Sequence, residues 1–147
     1  MKNNDEPVIV EQIFNASIGK VWNAITELDQ MKKWFFENIA SFRPEVGFET
    51  RFEVQNEDRK FPHIWKLTEV IPMKRITYNW KYGGYPGDSF VTFELFEKDH
   101  HTKLKLTHKV VESFPQDIPE FERESCIEGW NYFIRKNLKK YLEESVN

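Results

Sequence analysis

Residues 119–142, PEFERESCIEGWNYFIRKNLKKYL, decide how the rest of the chain can be arranged. Ile127, Trp130, Ile134, Leu138 and Tyr141 recur at spacings of three and four, which sets them on one face of an amphipathic helix. Cys126 and Phe133 widen that face on one flank and Leu142 on the other. Pro119 suits a first helical turn, where a backbone N–H has no partner. Glu120, Glu122 and Glu124 gather at the positive end of the helix dipole, and Lys136, Lys139 and Lys140 at the negative end. The pattern predicts one long helix over 119–142. Gly129 is the exception, since a mid-helix glycine costs about 1 kcal/mol against Ala. That cost points to something bulky approaching the backbone. Two arrangements would supply it: plain packing of the helix on a sheet, or a helix that forms the lid of a cavity.

The totals narrow the possibilities. At 147 residues the chain reads as one domain (1–147, core about 8–142), large enough to bury a core without staples. A net charge of −3 and a pI near 5.9 argue against a nucleic-acid partner, because phosphate binding needs a concentrated basic face. No apolar run approaches the ~18 residues of a membrane span. Met1 to Pro7 is polar and acidic, unlike a signal sequence. Cys126 is the single cysteine, so no intrachain disulfide can form, and a cytoplasmic location is the expectation. Aromatic residues make up 16% of the chain, with 13 Phe and 5 Trp, a supply that suits a core and equally an apolar pocket.

Outward from the long helix, strands dominate. Val8 to Phe14 is rich in β-branched residues and reads as a strand. Ser17 is placed to cap a short helix carrying Val21, Trp22, Ile25 and Leu28, and Asp29 to cap a second one through Phe35. Phe48–Val54, Phe61–Ile71, Arg75–Tyr82, Ser89–Glu97 and Thr102–Val110 read as strands. Two of them alternate cleanly, with Ile76, Tyr78, Trp80 and Tyr82 inward on one and Leu104, Leu106, His108 and Val110 inward on the other. Gly83–Asp88 is a glycine-rich loop, either a gate at a cavity mouth or an ordinary hairpin tip. Consecutive strands with short turns imply an antiparallel sheet, and segregated helices imply an α+β fold. The sheet's apolar face is the one large partner for the helix stripe, so the sheet should curl around it.

This order resembles the helix-grip fold of the START and birch-pollen-allergen-like superfamily. Local residues narrow the resemblance to the family related to the C-terminal domain of the activator of Hsp90 ATPase. They are Val21-Trp22 with Ala24-Ile25-Thr26, Trp34-Phe35, Glu45-Val46-Gly47, Glu69-Val70 with Pro72, Arg75-Ile76, Tyr78 and Trp80, then Thr102, Leu104, Leu106 and His108, and finally Gly129-Trp130 before Leu138 and Leu142. The match runs from about Ile13 to Leu142. Phe48 stands where many members have a second glycine, and Phe36 adds bulk beside the usual pair; either would narrow a pocket. The resemblance implies a curved antiparallel sheet wrapped around a long C-terminal helix, with two short helices after the first strand. Its members include chaperone-associated domains, and the wider superfamily includes carriers of apolar molecules, cyclases and aromatases. A fold does not fix a function.

No catalytic, metal or cofactor motif stands out, and His100-His101 reads as a solvated turn. His63 opens a strand and reads as a surface or rim residue. His108 falls on the inward face and is either a satisfied core histidine or a polar group on a pocket wall, with Tyr78 a possible partner. Glu11 lies on a strand apolar on both faces, so its direction stays open. Cys126 reads as a small buried hydrophobe. The expected cavity, between the final helix and the sheet, would be lined by Trp34, Tyr78, Trp80, Leu106, His108, Cys126, Trp130 and Phe133. The expected ligand is a small apolar molecule, a lipid or an aromatic compound. An Hsp90-type chaperone partner is the alternative, and a cyclase- or hydrolase-type enzyme the third reading.

Overall fold

The computed structural model describes residues 1–144. Six antiparallel strands form one curved sheet in the order β1-β6-β5-β4-β3-β2. The strands are β1 (Val8–Phe14), β2 (Glu49–Asn56), β3 (Arg59–Ile71), β4 (Arg75–Tyr82), β5 (Asp88–Lys98) and β6 (His101–Glu112). Neighbours in sequence pair through short turns from β2 to β6, and β1 closes against β6 with Val10 opposite Leu106. Two short helices, α1 (Ile18–Thr26) and α2 (Leu28–Trp34), fill the connection from β1 to β2. Ser17 caps α1 as its sequence suggests, its hydroxyl accepting from the Lys20 backbone at 3.3 Å. Asp29 does not cap α2. Glu27 holds that position without a side-chain bond, and Asp29 lies in the first turn.

The long C-terminal helix, α3, covers residues 123–144 rather than beginning at Pro119. Pro119–Phe121 is a separate 3₁₀ turn, followed by an extended Glu122. The break has a cause in the side chains. Phe121 is buried in its own aromatic cluster, and Glu120 is drawn away to Arg59 and Asn56 on the β2–β3 hairpin. Within α3, Asn131–Leu138 opens into π-helical turns. Trp130, Ile134, Leu138 and Leu142, spaced by four, are the buried residues of this stretch, while Tyr141 stays partly exposed and donates to Gln30 Oε1 at 3.1 Å. A step of four overshoots an α turn by about 40° and falls short of the wider i→i+5 turn. Alternating the two keeps a four-residue stripe from winding off the sheet, which brings Leu142 inward ahead of Tyr141.

The main core lies between the inward face of the sheet and the three helices. Strand alternation sends Ile76, Tyr78 and Trp80 of β4, and Leu104, Leu106 and His108 of β6, into it. A second, smaller cluster of Phe61, Val110, Phe114 and Phe121 seals one end. The Tyr82–Asp88 loop packs on this second cluster. Tyr85 stacks on Phe61 and donates to Lys60 O at 3.0 Å, and Gly87 sits so close to Phe114 that a Cβ would meet its ring at 2.2 Å. No helix among the described residues is long and apolar enough to cross a membrane.

Tyr78 is fully buried among Trp65, Phe42 and Phe93, and its hydroxyl finds no hydrogen-bond partner among the described residues. An unmade bond of this kind costs about 1–3 kcal/mol. Tyr78→Phe should therefore raise stability in urea denaturation by about 1 kcal/mol or more. A loss of stability would show that the hydroxyl is satisfied in solution.

Candidate functional site

A cavity of about 130 Å³ lies under the first turns of α3. Its roof is Cys126, Gly129, Trp130 and Phe133 of α3. Its floor is His63 of β3, Trp80 and Tyr82 of β4, and His108 of β6. Phe36, just after α2, closes one side, Met1 lines the cavity with its ammonium donating to Phe121 O, and Glu120 and Ser125 stand at the rim.

His108 organises the floor. It is 4% exposed, and a dehydrated imidazole must satisfy both ring nitrogens. The indole N–H of Trp130 donates to His108 Nδ1 at 3.0 Å. This assigns the ring proton to Nε2, which donates to Ser89 Oγ at 3.0 Å; Ser89 in turn donates to Trp80 O at 2.9 Å. The Cys126 thiol also faces Nδ1, at 3.4 Å. Burial, assisted by the positive charge of the Met1 amino group, lowers the His108 pKa to about 4. Burial pushes the Cys126 thiol up to about 12, so the sulfur is held as a neutral, weak donor rather than a nucleophile. Tyr78 takes no part in this network, because Val91 of β5 stands between it and His108 in the strand register.

His63 is the second polar residue of the floor, and it is buried, not superficial. Its Nδ1 lies 2.9 Å from Phe61 O. A carbonyl only accepts, so Nδ1 carries the proton and Nε2 is a bare lone pair. Burial lowers its pKa to about 4, against a small upward push from that hydrogen bond. Strand alternation held the signal for this residue, since Phe61, His63, Trp65 and Leu67 share one face.

Of the residues expected at the pocket, Trp80, His108, Cys126, Trp130 and Phe133 border this cavity. Trp34, Tyr78 and Leu106 do not; each is closed in packed core, with Trp34 Nε1 donating to Ala24 O at 2.8 Å. Phe36 does narrow the cavity, its ring centroid 4.8 Å from that of Phe133, whereas Phe48 packs elsewhere, against Phe42 and under Arg43. Nothing crowds Gly129. A Cβ built there meets no atom within 4 Å, so the expected close approach is absent and the glycine leaves open space beside the cavity. Outside it runs a shallow groove of about 730 Å³ that shares Glu120, Ser125, Gly129 and Phe133 with the inner space. Glu120 is held at this boundary by Arg59 Nε, 2.8 and 2.9 Å from its two oxygens, and by Asn56 Nδ2 at 2.7 Å. The hydrogen bond from Arg59 is the main cause that lowers the Glu120 pKa. A separate open depression beside Glu11 and Arg135 has Ile13 as its one apolar side chain, and its Glu11 pairs with Lys103 at 2.6 Å.

Residues 15–143 match the family model for activator of Hsp90 ATPase homolog 1-like protein. The chain belongs to this family. Solved structures agree on the fold. Protein CV1439 from Chromobacterium violaceum is 21% identical and superposes with a TM-score of 0.77, over 93% of this chain and 96% of that one. The Aha1 dimer from Colwellia psychrerythraea is 23% identical, with a TM-score of 0.70 over 95% and 97% of the two chains. DynU16, from the dynemicin biosynthetic locus, is 23% identical with a TM-score of 0.74, over 96% of this chain and 48% of that one. No curated protein matches.

The two buried histidines tie stability to pH. Above about pH 6.5 both are neutral in the folded and the unfolded chain. As pH falls toward 4, the unfolded chain takes up protons that the folded one refuses, so stability is lost across the window between the ordinary value of 6.5 and the folded value of about 4. The slope should approach about 1.4 kcal/mol per pH unit for each histidine. Urea titrations between about pH 6 and 5, where ordinary carboxylates remain mostly ionised, measure it. His63→Phe should remove about half of the slope, by the same linkage.

Proposed function

We propose that this family member binds a small, largely apolar molecule in the cavity between α3 and the sheet. The observation that carries the reading is an open space of about 130 Å³ walled by Phe36, Trp80, Trp130 and Phe133 and fitted with a few polar atoms. Binding sites combine these features, apolar walls with a small number of orienting groups. Size supports a single-ring occupant over a lipid, since drug-sized ligands need about 300 Å³ or more, while an apolar cavity of about 150 Å³ accepts benzene. Gly129 supports the same reading. A helix position that forgoes about 1 kcal/mol without any steric demand makes sense where a side chain would obstruct the space. The chaperone-associated reading rests on the family description, whereas the cavity reading rests on this chain's own residues.

Benzene titrated into the protein, followed by aromatic and methyl chemical shifts, tests the proposal. The wild type should show saturable shifts centred on Trp130 and Phe133. Gly129→Leu should lose them while staying as stable as the wild type or more so, because Leu gains roughly 0.5–1 kcal/mol of helix propensity over Gly. Absence of binding to the wild type, or equal binding by Gly129→Leu, would sink the reading.

A further inference from the structure

Three polar groups on the cavity wall lack a hydrogen bond among the described residues, the Trp80 indole N–H, His63 Nε2 and the Tyr82 hydroxyl, and the last two complement each other. His63 is 5% exposed, and its proton is committed to Phe61 O, so Nε2 offers a lone pair that no described residue answers. Tyr82 stands beside it, the two ring centroids 4.8 Å apart and nearly perpendicular. The Trp80 indole N–H is directed at the Tyr82 oxygen but falls short of hydrogen-bond geometry, and the Tyr82 O–H has no acceptor among the described residues. One wall of the cavity therefore presents an acceptor without a donor and a donor without an acceptor.

Each candidate ligand chemistry can be weighed against this pair. A hydrocarbon answers neither group and leaves both desolvated, which is costly for buried polar atoms. A carboxylate can accept from Tyr82 and would gain from the Met1 ammonium, but it has no proton for His63. An ammonium can donate to His63 but cannot accept from Tyr82. A hydroxyl does both, donating to Nε2 and accepting from the Tyr82 O–H. The remaining walls, Phe36, Trp80, Trp130 and Phe133, offer ring faces and edges suited to an aromatic partner.

We propose that the ligand class is a neutral phenol, its ring among the aromatic walls and its hydroxyl bridging His63 Nε2 and the Tyr82 hydroxyl. This rests on the cavity reading above and adds the polar group that selects among ring-sized molecules. His108 is not the selecting residue, since Ser89, Trp130 and Cys126 already occupy both of its nitrogens.

Calorimetric titration with phenol, toluene and benzoate tests the assignment, since the three share one ring and differ in the group it bears. The wild type should bind phenol at least about tenfold more tightly than toluene, as expected for two hydrogen bonds gained at a desolvated site, and more tightly than benzoate, which has no proton for His63. Tyr82→Phe and His63→Phe should each bring phenol and toluene to within about twofold of one another. If Tyr82→Phe folds and His63→Phe does not, the Tyr82 arm alone decides. Equal binding of phenol and toluene by the wild type, preferred binding of benzoate, or a phenol preference that survives Tyr82→Phe would overturn the phenol assignment and leave an apolar cavity standing. Binding of none of the three would overturn the cavity reading and this inference together.

Discussion

A dehydrated imidazole ties the helix to the sheet. His108 has lost its water, and its two nitrogens are satisfied in opposite senses, by Trp130 donating from α3 and by Ser89 accepting from β5. Ser89 passes the chain on to the backbone of Trp80 in β4. Three side chains thus join α3 to three adjacent strands with a fixed direction of donation. Protonating His108 would break one of those bonds, because the Trp130 N–H would then face a nitrogen that also carries a proton. Burial opposes this by holding the pKa near 4. The apolar stripe of Trp130, Ile134, Leu138 and Leu142 supplies the bulk of the contact, and His108 fixes where along the sheet it comes to rest.

Much of this was legible in the sequence where a single periodicity governed the outcome. The Arg75–Tyr82 strand and the capping by Ser17 needed local pattern alone. The start of α3 did not follow from local pattern. Pro119 and three glutamates describe a plausible first turn, but Phe121 gains more from the second aromatic cluster, and Glu120 gains Arg59 and Asn56. Those partners lie some 60 residues away in the chain, beyond any local signal. The π-helical turns escaped for a similar reason: a four-residue spacing is compatible with an α-helix until the direction of the sheet is known.

The candidate cavity was half legible. Residues on the α3 stripe and on the clean strands, among them Trp130 and His108, could be placed by phase. Trp34, Tyr78 and Leu106 point inward equally well, yet they end in solid packing. A cavity is the small remainder left after many side-chain volumes are fitted together, and inward direction does not reveal it. His63 lies near the start of its strand, a position that favours the surface, but its alternation with Phe61, Trp65 and Leu67 turns it inward.

The Arg59–Glu120 pair is an ion pair between side chains, unlike the ring contacts and neutral hydrogen bonds that make most of the cavity wall. Rings, neutral hydrogen bonds and the buried Met1 ammonium on Phe121 O hold the walls, whereas the rim is closed by opposite charges on partly exposed side chains. Mobile ions screen such a pair over about 10 Å at ordinary ionic strength and barely touch buried neutral contacts. Added salt therefore acts on the doorway and leaves the room unchanged, so ionic strength bears on how firmly the rim is closed more than on the shape of the space behind it.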